Sequence, residues 1–330
     1  MNILNPYSII ISAKNKLYDN DLLSLVKADV PVLSVGNLTT GGTGKTPFIL
    51  YLVDLILNKN PMLKILVISK SYKTDLKEST AVQIQNPKAS RVFGDEPVLI
   101  QRLRPEIQVW AGPSKSETLK KVLDLKKNSK MSFDLVLIDD GFSHRKIKRD
   151  LDFVLIDVSQ PLSHYKLLPL GHLREDLSEL KRCQMVILTK VSEADSKTYS
   201  FLQNYLTQHC IQYIHAEFES DLNTDSPIND ILLFSGIGNP KQLEQQLRRK
   251  GFQIVHHEIY NDHYNYKDSD QNYIKQISQK HKQAALCTTM KDFVKLTNEE
   301  LINKVKIINL KIFINKVDES TIYEKISQIF

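Results

Sequence analysis

The stretch from Val32 to Pro47 constrains this chain more than any other. An apolar run, Val32-Leu33-Ser34-Val35, enters a glycine-rich turn, and a helix-forming segment begins near Pro47. Glycines let successive backbone N–H groups converge on an anion without Cβ clashes. The following helix offers the positive end of its dipole to the same anion. In such a strand–loop–helix unit Lys45 reaches the β- and γ-phosphates of a nucleotide, and the Thr46 hydroxyl binds Mg²⁺. Pro47 has no N–H to donate, which an early helix position tolerates. Thr40, Gly41, Gly42, Thr43, Gly44, Lys45, Thr46 and Pro47 are therefore the expected nucleotide-binding residues. The strict G-x-x-x-x-G-K-[ST] pattern is not met, because Thr39 stands where its first glycine belongs.

A regular alternation follows. Apolar, β-branched runs recur at Val32–Val35, Ile65–Ile68, Ile107–Trp110, Leu135–Ile138, Phe153–Ile156 and Val186–Leu188, with a weaker one at Tyr213–Phe218. Helical patterns lie between them, at Pro47–Leu57, Pro97–Leu103 and Ser116–Lys127. Buried strands alternating with helices predict an α/β fold of the P-loop NTPase type, a mostly parallel sheet sandwiched by helices. Polar turn residues over 220–230 mark a boundary. The pattern then restarts at Ile231–Phe234, Gln253–Val255, Ala284–Leu286 and Lys306–Ile314, with helices near Pro240–Lys250 and Tyr273–His281. The expected organisation is an N-terminal amphipathic segment over 1–27, a P-loop domain over 28–222, and a smaller α/β domain over 223–330 that closes on the site.

Composition removes several classes. The 330 residues are 42% hydrophobic and 25% charged, which excludes disorder over most of the length. No apolar run approaches the ~18 residues that span a bilayer. The N-terminus lacks a basic region followed by an apolar core and a cleavage site, so no secretory signal is read. A net charge of +6 suits an anionic ligand or membrane surface but is too small to argue for nucleic acid. Cys183, Cys210 and Cys287 show no paired spacing, so no zinc site or disulfide framework is expected. Scattered thiols fit a reducing compartment, the cytoplasm or its membrane face. Residues 3–27 carry an apolar stripe with Lys14, Lys16 and Lys27 beside it, equally readable as a packed helix or one lying in a membrane interface.

Two acidic elements complete the local reading. Phe133–Ile138 ends in Asp139-Asp140-Gly141, an acid pair at a strand terminus of the kind that holds Mg²⁺ beside a phosphate loop. His144, Arg145, Lys146, Lys148 and Arg149 follow, a solvated basic face or an anion-binding rim. Gly94-Asp95-Glu96-Pro97 reads as the acidic first turn of a helix, or as the place where a carboxylate deprotonates a substrate hydroxyl.

In order along the chain, these elements resemble the tetraacyldisaccharide 4′-kinase family. The matching residues are Ser34–Thr39 with Gly41–Pro47, Gly94–Pro97, Asp139–Phe142 with His144-Arg145, Leu168-Pro169, Gly171, Leu173–Glu175 and Leu188–Lys190. They continue with Ser235–Pro240, Asp262-His263, Thr288-Thr289 and Lys291-Asp292. The resemblance implies ATP-dependent phosphorylation of the 4′-hydroxyl of a tetraacylated glucosamine disaccharide 1-phosphate, giving lipid IVA. It implies ATP and Mg²⁺, a lipid substrate, and a peripheral, monomeric enzyme at the cytoplasmic face of the bacterial inner membrane. It makes Asp95 the catalytic base, His263 its partner and Lys45 the phosphate lysine. It places Thr46, Asp139, Asp140 and Glu96 around the metal, and makes Tyr72, Lys115, His144, Arg174 and Glu175 substrate contacts.

The chain departs from the family at Ser69-Lys70-Ser71-Tyr72-Lys73-Thr74, where Ser-Arg-Gly-Tyr-Gly-Arg is usual. Lys70 keeps the charge but not the bidentate fork. Lys115 stands where arginine is frequent, and Ser143 and His172 replace glutamine and proline. Three rival readings remain for the residues: a P-loop GTPase switch, a kinase of another alcohol, and a nucleotide-gated membrane-binding module. Thr189-Lys190 lacks the Asn and the following Asp that specify guanine.

Overall fold

A computed structural model describes residues 6–71, 74, 76–86, 88–222 and 228–330. The chain runs α1 (Pro6–Asp19), β1 (Val32–Asn37), α2 (Lys45–Lys59), β2 (Ile65–Lys70), β3 (Thr80–Ala81), α3 (Ala89–Phe93), α4 (Asp95–Leu103), β4 (Gln108–Gly112), α5 (Lys115–Lys127) and β5 (Leu135–Asp139). It continues with β6 (Leu151–Asp157), β7 (Met185–Thr189), α6 (Ser196–Gln208) and β8 (Tyr213–Leu222). The remainder is β9 (Asp230–Ser235), α7 (Pro240–Arg249), β10 (Gln253–Ile259), α8 (Asp268–Lys280), β11 (Ala285–Thr289), α9 (Met290–Phe293), α10 (Glu299–Lys304), β12 (Lys306–Phe313) and α11 (Lys316–Ser327).

The strands lie in the order β10-β9-β11-β12-β8-β7-β6-β1-β5-β2-β4-β3. Pairing is parallel except for β12 with β8 and β3 with β4, so the expected mostly parallel α/β sheet is present. Side chains alternate between its faces as a period of two requires. Leu33, Val35, Leu135, Leu137, Phe153 and Leu155 point into the cluster filled by Phe48, Ile49, Leu52 and Val53 of α2 and by Val98 and Ile100 of α4. Val32, Val136 and Ile138 face Leu119 and Val122 of α5, while Val154, Ile156, Val186 and Leu188 face Leu202 and Leu206 of α6. The pattern repeats in β9, where Leu232 and Phe234 meet α8 through Ile274 and Ile277. Ile231 and Leu233 meet α7 through Leu243 and Leu247.

Strand β8 joins the two halves. Tyr213–Ala216 pair with β7 in parallel, and Glu217–Leu222 pair with β12 antiparallel. Helix α11 then returns to the first half: Ile322 and Ile326 enter the core against α2, and Tyr51 Oη donates to Glu319 at 3.0 Å. At the other end, α1 stops at Asp19, and Asp21 adopts a left-handed φ of 53°. Residues 20–27 are not helical, so the helix is shorter than the expected 1–27 segment, of which 1–5 lie outside the described residues.

Candidate active site

The phosphate loop bridges β1 and α2. Gly41 and Gly44 have φ of 109° and 88°, conformations that side chains resist. A Cβ on Gly44 would also lie 2.0 Å from the ring of Phe218, which β8 lays over the loop. Helix α2 begins at Lys45 with no side-chain cap, and the Thr43 hydroxyl is buried without a hydrogen-bond partner. These are unspent donors of the kind an anion takes up. Lys45 Nζ donates to Asn37 Oδ1 at 3.3 Å and lies 3.8 Å from Asp140 Oδ1.

Parallel pairing sets Val35 of β1 beside Asp139 of β5, which brings the acid pair to the loop. Asp140 has a left-handed φ of 50°. Arg174 grips its carboxylate through two nitrogens, at 3.0 and 2.8 Å, and also donates to the Asn37 carbonyl at 2.8 Å. Burial opposes the charge on Asp140, but Lys45 and Arg174 outweigh it and hold its carboxyl well below the usual range. Asp139 is turned inward. Ser69 Oγ donates to its Oδ2 at 2.7 Å, its Oδ1 has no partner, and burial pushes the group up. Burial, and then the nearby Asp139 charge, push Glu96 up to about 7.

Across the cleft, Asp95 opens α4. Its Oδ2 lies 3.3 Å from Nδ1 of His263, a residue 168 positions away. His263 follows β10 and holds a left-handed φ of 60°. Its backbone N–H donates to Asp262 Oδ1 at 3.0 Å, and Lys291 Nζ lies 3.2 Å from its Nε2.

One cleft of about 1750 Å³ collects these groups. Thr40–Pro47, Asp95, Glu96, Asp140 and Arg174 line it from the first half, and Asp262, His263 and Lys291 from the second. Four expected site residues are not on its wall. Asp139 lies just beneath. Lys115 is buried and donates to the Asp140 carbonyl at 2.6 Å. His144 is shifted down to about 4 by burial and then by Lys115, and its Nε2 has no partner. Glu175 pairs with Arg182 at the far side and accepts from Asn15 of α1 at 3.5 Å. Tyr72 lies outside the described residues.

Besides Asp262 and Lys291, which meet His263, three contributors were quoted in motifs or as departures without a role. Asn37 accepts from both Lys45 and Arg174. Ser69 holds Asp139. His172 anchors Thr40 twice: Thr40 N donates to its carbonyl at 2.9 Å, and Thr40 Oγ1 meets its Nδ1 at 3.0 Å. Position offered the signal for Asn37 and Ser69, since one is the last and the other the second-last residue of a buried strand, where sheet ligands gather.

A lysine on a phosphate loop facing a carboxylate–imidazole pair is the equipment of phosphoryl transfer to a hydroxyl, so fold and cleft together define a P-loop kinase. Residues 3–330 match the family profile described as tetraacyldisaccharide-1-P 4′-kinase, and the chain belongs to that family. It is 33% identical over 312 residues to the tetraacyldisaccharide 4′-kinase of Bdellovibrio bacteriovorus, covering 92% of this chain and 89% of the relative. It is 33% identical over 266 residues to that of Aquifex aeolicus, covering 79% and 81%. The crystal structure of the Aquifex aeolicus family member in complex with ATP superimposes with a TM-score of 0.74 at 30% identity, covering 98% of this chain and 96% of that one.

Proposed function

We propose that this chain transfers the γ-phosphoryl group of ATP to the 4′-hydroxyl of tetraacyldisaccharide 1-phosphate, giving lipid IVA in lipid A biosynthesis. The observation that carries the reading is the Asp95–His263 contact, which faces Lys45 in one cleft. An alcohol is a poor nucleophile at neutral pH, and a carboxylate in hydrogen-bond reach removes its proton as the new bond forms. Lys45 and the loop N–H groups bind the phosphates and meet the charge that develops on the transferring group. Arg174, held by Asp140 and Asn37, faces the cleft as a second cation.

The residues present fit Mg²⁺. Asp139 offers a buried oxygen with no partner, and Glu96 is raised partly by the Asp139 charge, a conflict that a cation relieves. Among the described residues no cluster of three or more His, Cys, Asp or Glu is arranged to hold a metal. Mg²⁺ in kinase sites takes only one or two carboxylates and fills its shell with phosphate and water. Thr46, Asp139, Asp140 and Glu96 would supply the protein's share, and the ion would neutralise charge on the phosphates.

The lipid would reach the cleft from a membrane surface. No described helix is long and apolar enough to cross a membrane. Helix α1 instead leaves Ile9 and Ile10 51% and 67% exposed. It is tied to the site, since Tyr7 Oη donates to the Arg174 carbonyl at 2.8 Å. This arrangement supports α1 as an interfacial helix, and the location proposed for it is the cytoplasmic face of the inner membrane. The change of partner within β8, from β7 to β12, supports the two domains over 28–222 and 223–330, with α11 strapped back onto α2.

The test is transfer of label from γ-labelled ATP, with Mg²⁺, to tetraacyldisaccharide 1-phosphate in detergent micelles. A bis-phosphorylated labelled lipid is expected, and its loss in Asp95→Ala. Unlabelled lipid from protein that still binds ATP would move the acceptor to another alcohol.

A further inference from the structure

We infer that Lys291 is a positioning residue that fixes which nitrogen of His263 carries hydrogen, and so makes the imidazole a donor to Asp95. The inference rests on the reading of Asp95 and His263 as the pair that activates the acceptor.

Lys291 is the second residue of α9, directly after β11. Its Nζ lies 3.2 Å from His263 Nε2 and 2.9 Å from Asp262 Oδ1. An ammonium has three donors and no lone pair. Its contact with Nε2 is a hydrogen bond only when Nε2 is bare. The ring hydrogen then sits on Nδ1, which is 3.3 Å from Asp95 Oδ2. Asp262 closes the figure, because Oδ1 accepts from Lys291 and from the backbone N–H of His263. One carboxylate thus steadies both the left-handed backbone of His263 and the cation that meets its ring. His257 differs on one side only: its Nδ1 also faces a carboxylate, Glu244 at 3.2 Å, but its Nε2 faces the Ser235 hydroxyl at 2.9 Å. A hydroxyl either donates or accepts, so it imposes no tautomer by itself.

The arrangement assigns the proton. Nδ1 already bears its hydrogen, and a cation occupies Nε2. When the acceptor O–H bond breaks, its proton bonds to the Asp95 carboxylate. The oxygen bonds to the γ-phosphorus as the bond to the β–γ bridging oxygen breaks, and ADP leaves. His263 orients the carboxylate through this step and does not take up the proton.

The experiment is nitrogen NMR of the full chain with ¹⁵N-labelled imidazoles, the His263 signals being identified by their loss in His263→Asn. The wild type is expected to show hydrogen on Nδ1 and a bare Nε2. Lys291→Met is expected to return the ring towards the form with hydrogen on Nε2, and Lys291→Arg to preserve the wild-type pattern. In the lipid kinase assay Lys291→Met should lower kcat on the order of 10–100-fold, as loss of a partner that orients an imidazole does, with the KM for ATP unchanged. Hydrogen on Nε2 in the wild type overturns the inference. So does an unchanged tautomer in Lys291→Met accompanied by a raised KM for ATP, which makes Lys291 a phosphate ligand. The wild-type spectrum decides the tautomer even if Lys291→Met does not fold, and Asp262→Asn supplies a second perturbation, expected to weaken the Nδ1–H form. The spectra need no lipid, so a failed lipid assay with the expected tautomer counts against the proposed substrate alone.

Discussion

The two walls of the cleft are built differently. On the phosphate wall the charges are paired before any ligand arrives: Arg174 holds Asp140 through two bonds, Lys45 bonds to Asn37, and Lys115 holds the Asp140 carbonyl. Lys45 is 14% exposed. Facing it, a 3.3 Å contact joins Asp95, 12% exposed, to His263, 34% exposed, and Asp262 and Lys291 of the second half hold His263 in turn. The phosphate wall is a preorganised electrostatic surface, which stabilises developing charge without reorganising during reaction. The other wall is assembled from remote chain segments, so its geometry depends on how β8, β12 and α11 seat the second half on the first. Substitutions on the phosphate wall should therefore damage ATP handling and chemistry together, and those on the other wall should damage chemistry alone.

Lys45→Ala is the largest expected effect. On the proposed mechanism it removes the loop cation that meets the transferring phosphoryl group, and turnover should fall on the order of 10³–10⁵-fold, the scale for losing such a charge. Turnover within tenfold of wild type would remove Lys45 from the role and blur the contrast between the walls. Asp95→Ala comes next. Its kcat should fall about 10²–10⁴-fold, as for a general base, while the KM for ATP changes little. Weakened ATP binding with kcat preserved would place Asp95 among the nucleotide or metal ligands and merge the two walls.

Gly44→Ala probes the seam between them. The substitution forces a side chain into φ 88° and against the Phe218 ring 2.0 Å away. A non-glycine residue held in such a region costs about 1–3 kcal/mol. The ring must also shift, and it belongs to the strand that carries the second half. A lower thermal midpoint together with a raised KM for ATP is expected. A variant with native stability and kinetics would show that β8 is not braced on the phosphate loop.

How much of this was legible follows the same division. The phosphate loop lies within eight consecutive residues, Thr40–Pro47, and its glycines and lysine announce it. Strands buried on both faces read as apolar runs, so β1, β2 and β5–β7 were visible to within two residues at either end. The change of partner within β8 was not visible, because the pairing of Glu217–Leu222 with β12 joins segments some ninety residues apart. Helix α11 was missed because its apolar positions, Ile322 and Ile326, form a single narrow stripe. The two-residue β3 was too short to show a period. Asp95 and His263 were paired only through family resemblance. Alone, Asp95 reads as a first-turn acid or as a carboxylate that deprotonates a hydroxyl, and His263 as an ordinary polar histidine, and only the fold brings them together.

Glu96 yields the smallest effect and the sharpest sign. It sits beside Asp95 and feels charges from both sides, Asp139, Asp140 and Lys45 from one and Lys291 from the other, so it tests whether the walls are electrically continuous. Burial and the Asp139 charge raise its carboxyl from 4.5 to about 7. A folded value above the unfolded one means that the native state binds the extra proton. The stability this group contributes is fully present below pH 4.5 and is lost as pH rises through about 7. Bound Mg²⁺ favours the charged form and reverses that trend. The thermal midpoint of nucleotide-free protein should therefore decline between pH 5 and pH 8 more steeply in the wild type than in Glu96→Gln. The gain in midpoint on adding Mg²⁺ and ATP should be larger above pH 7 than below it in the wild type, and nearly independent of pH in the variant. Scanning calorimetry at both pH values, with and without Mg²⁺–ATP, measures all four differences. Equal pH slopes in the two proteins would mean that Glu96 already holds its charge against Asp139, with Lys45 and Lys291 sufficing as counterions from opposite sides of the cleft.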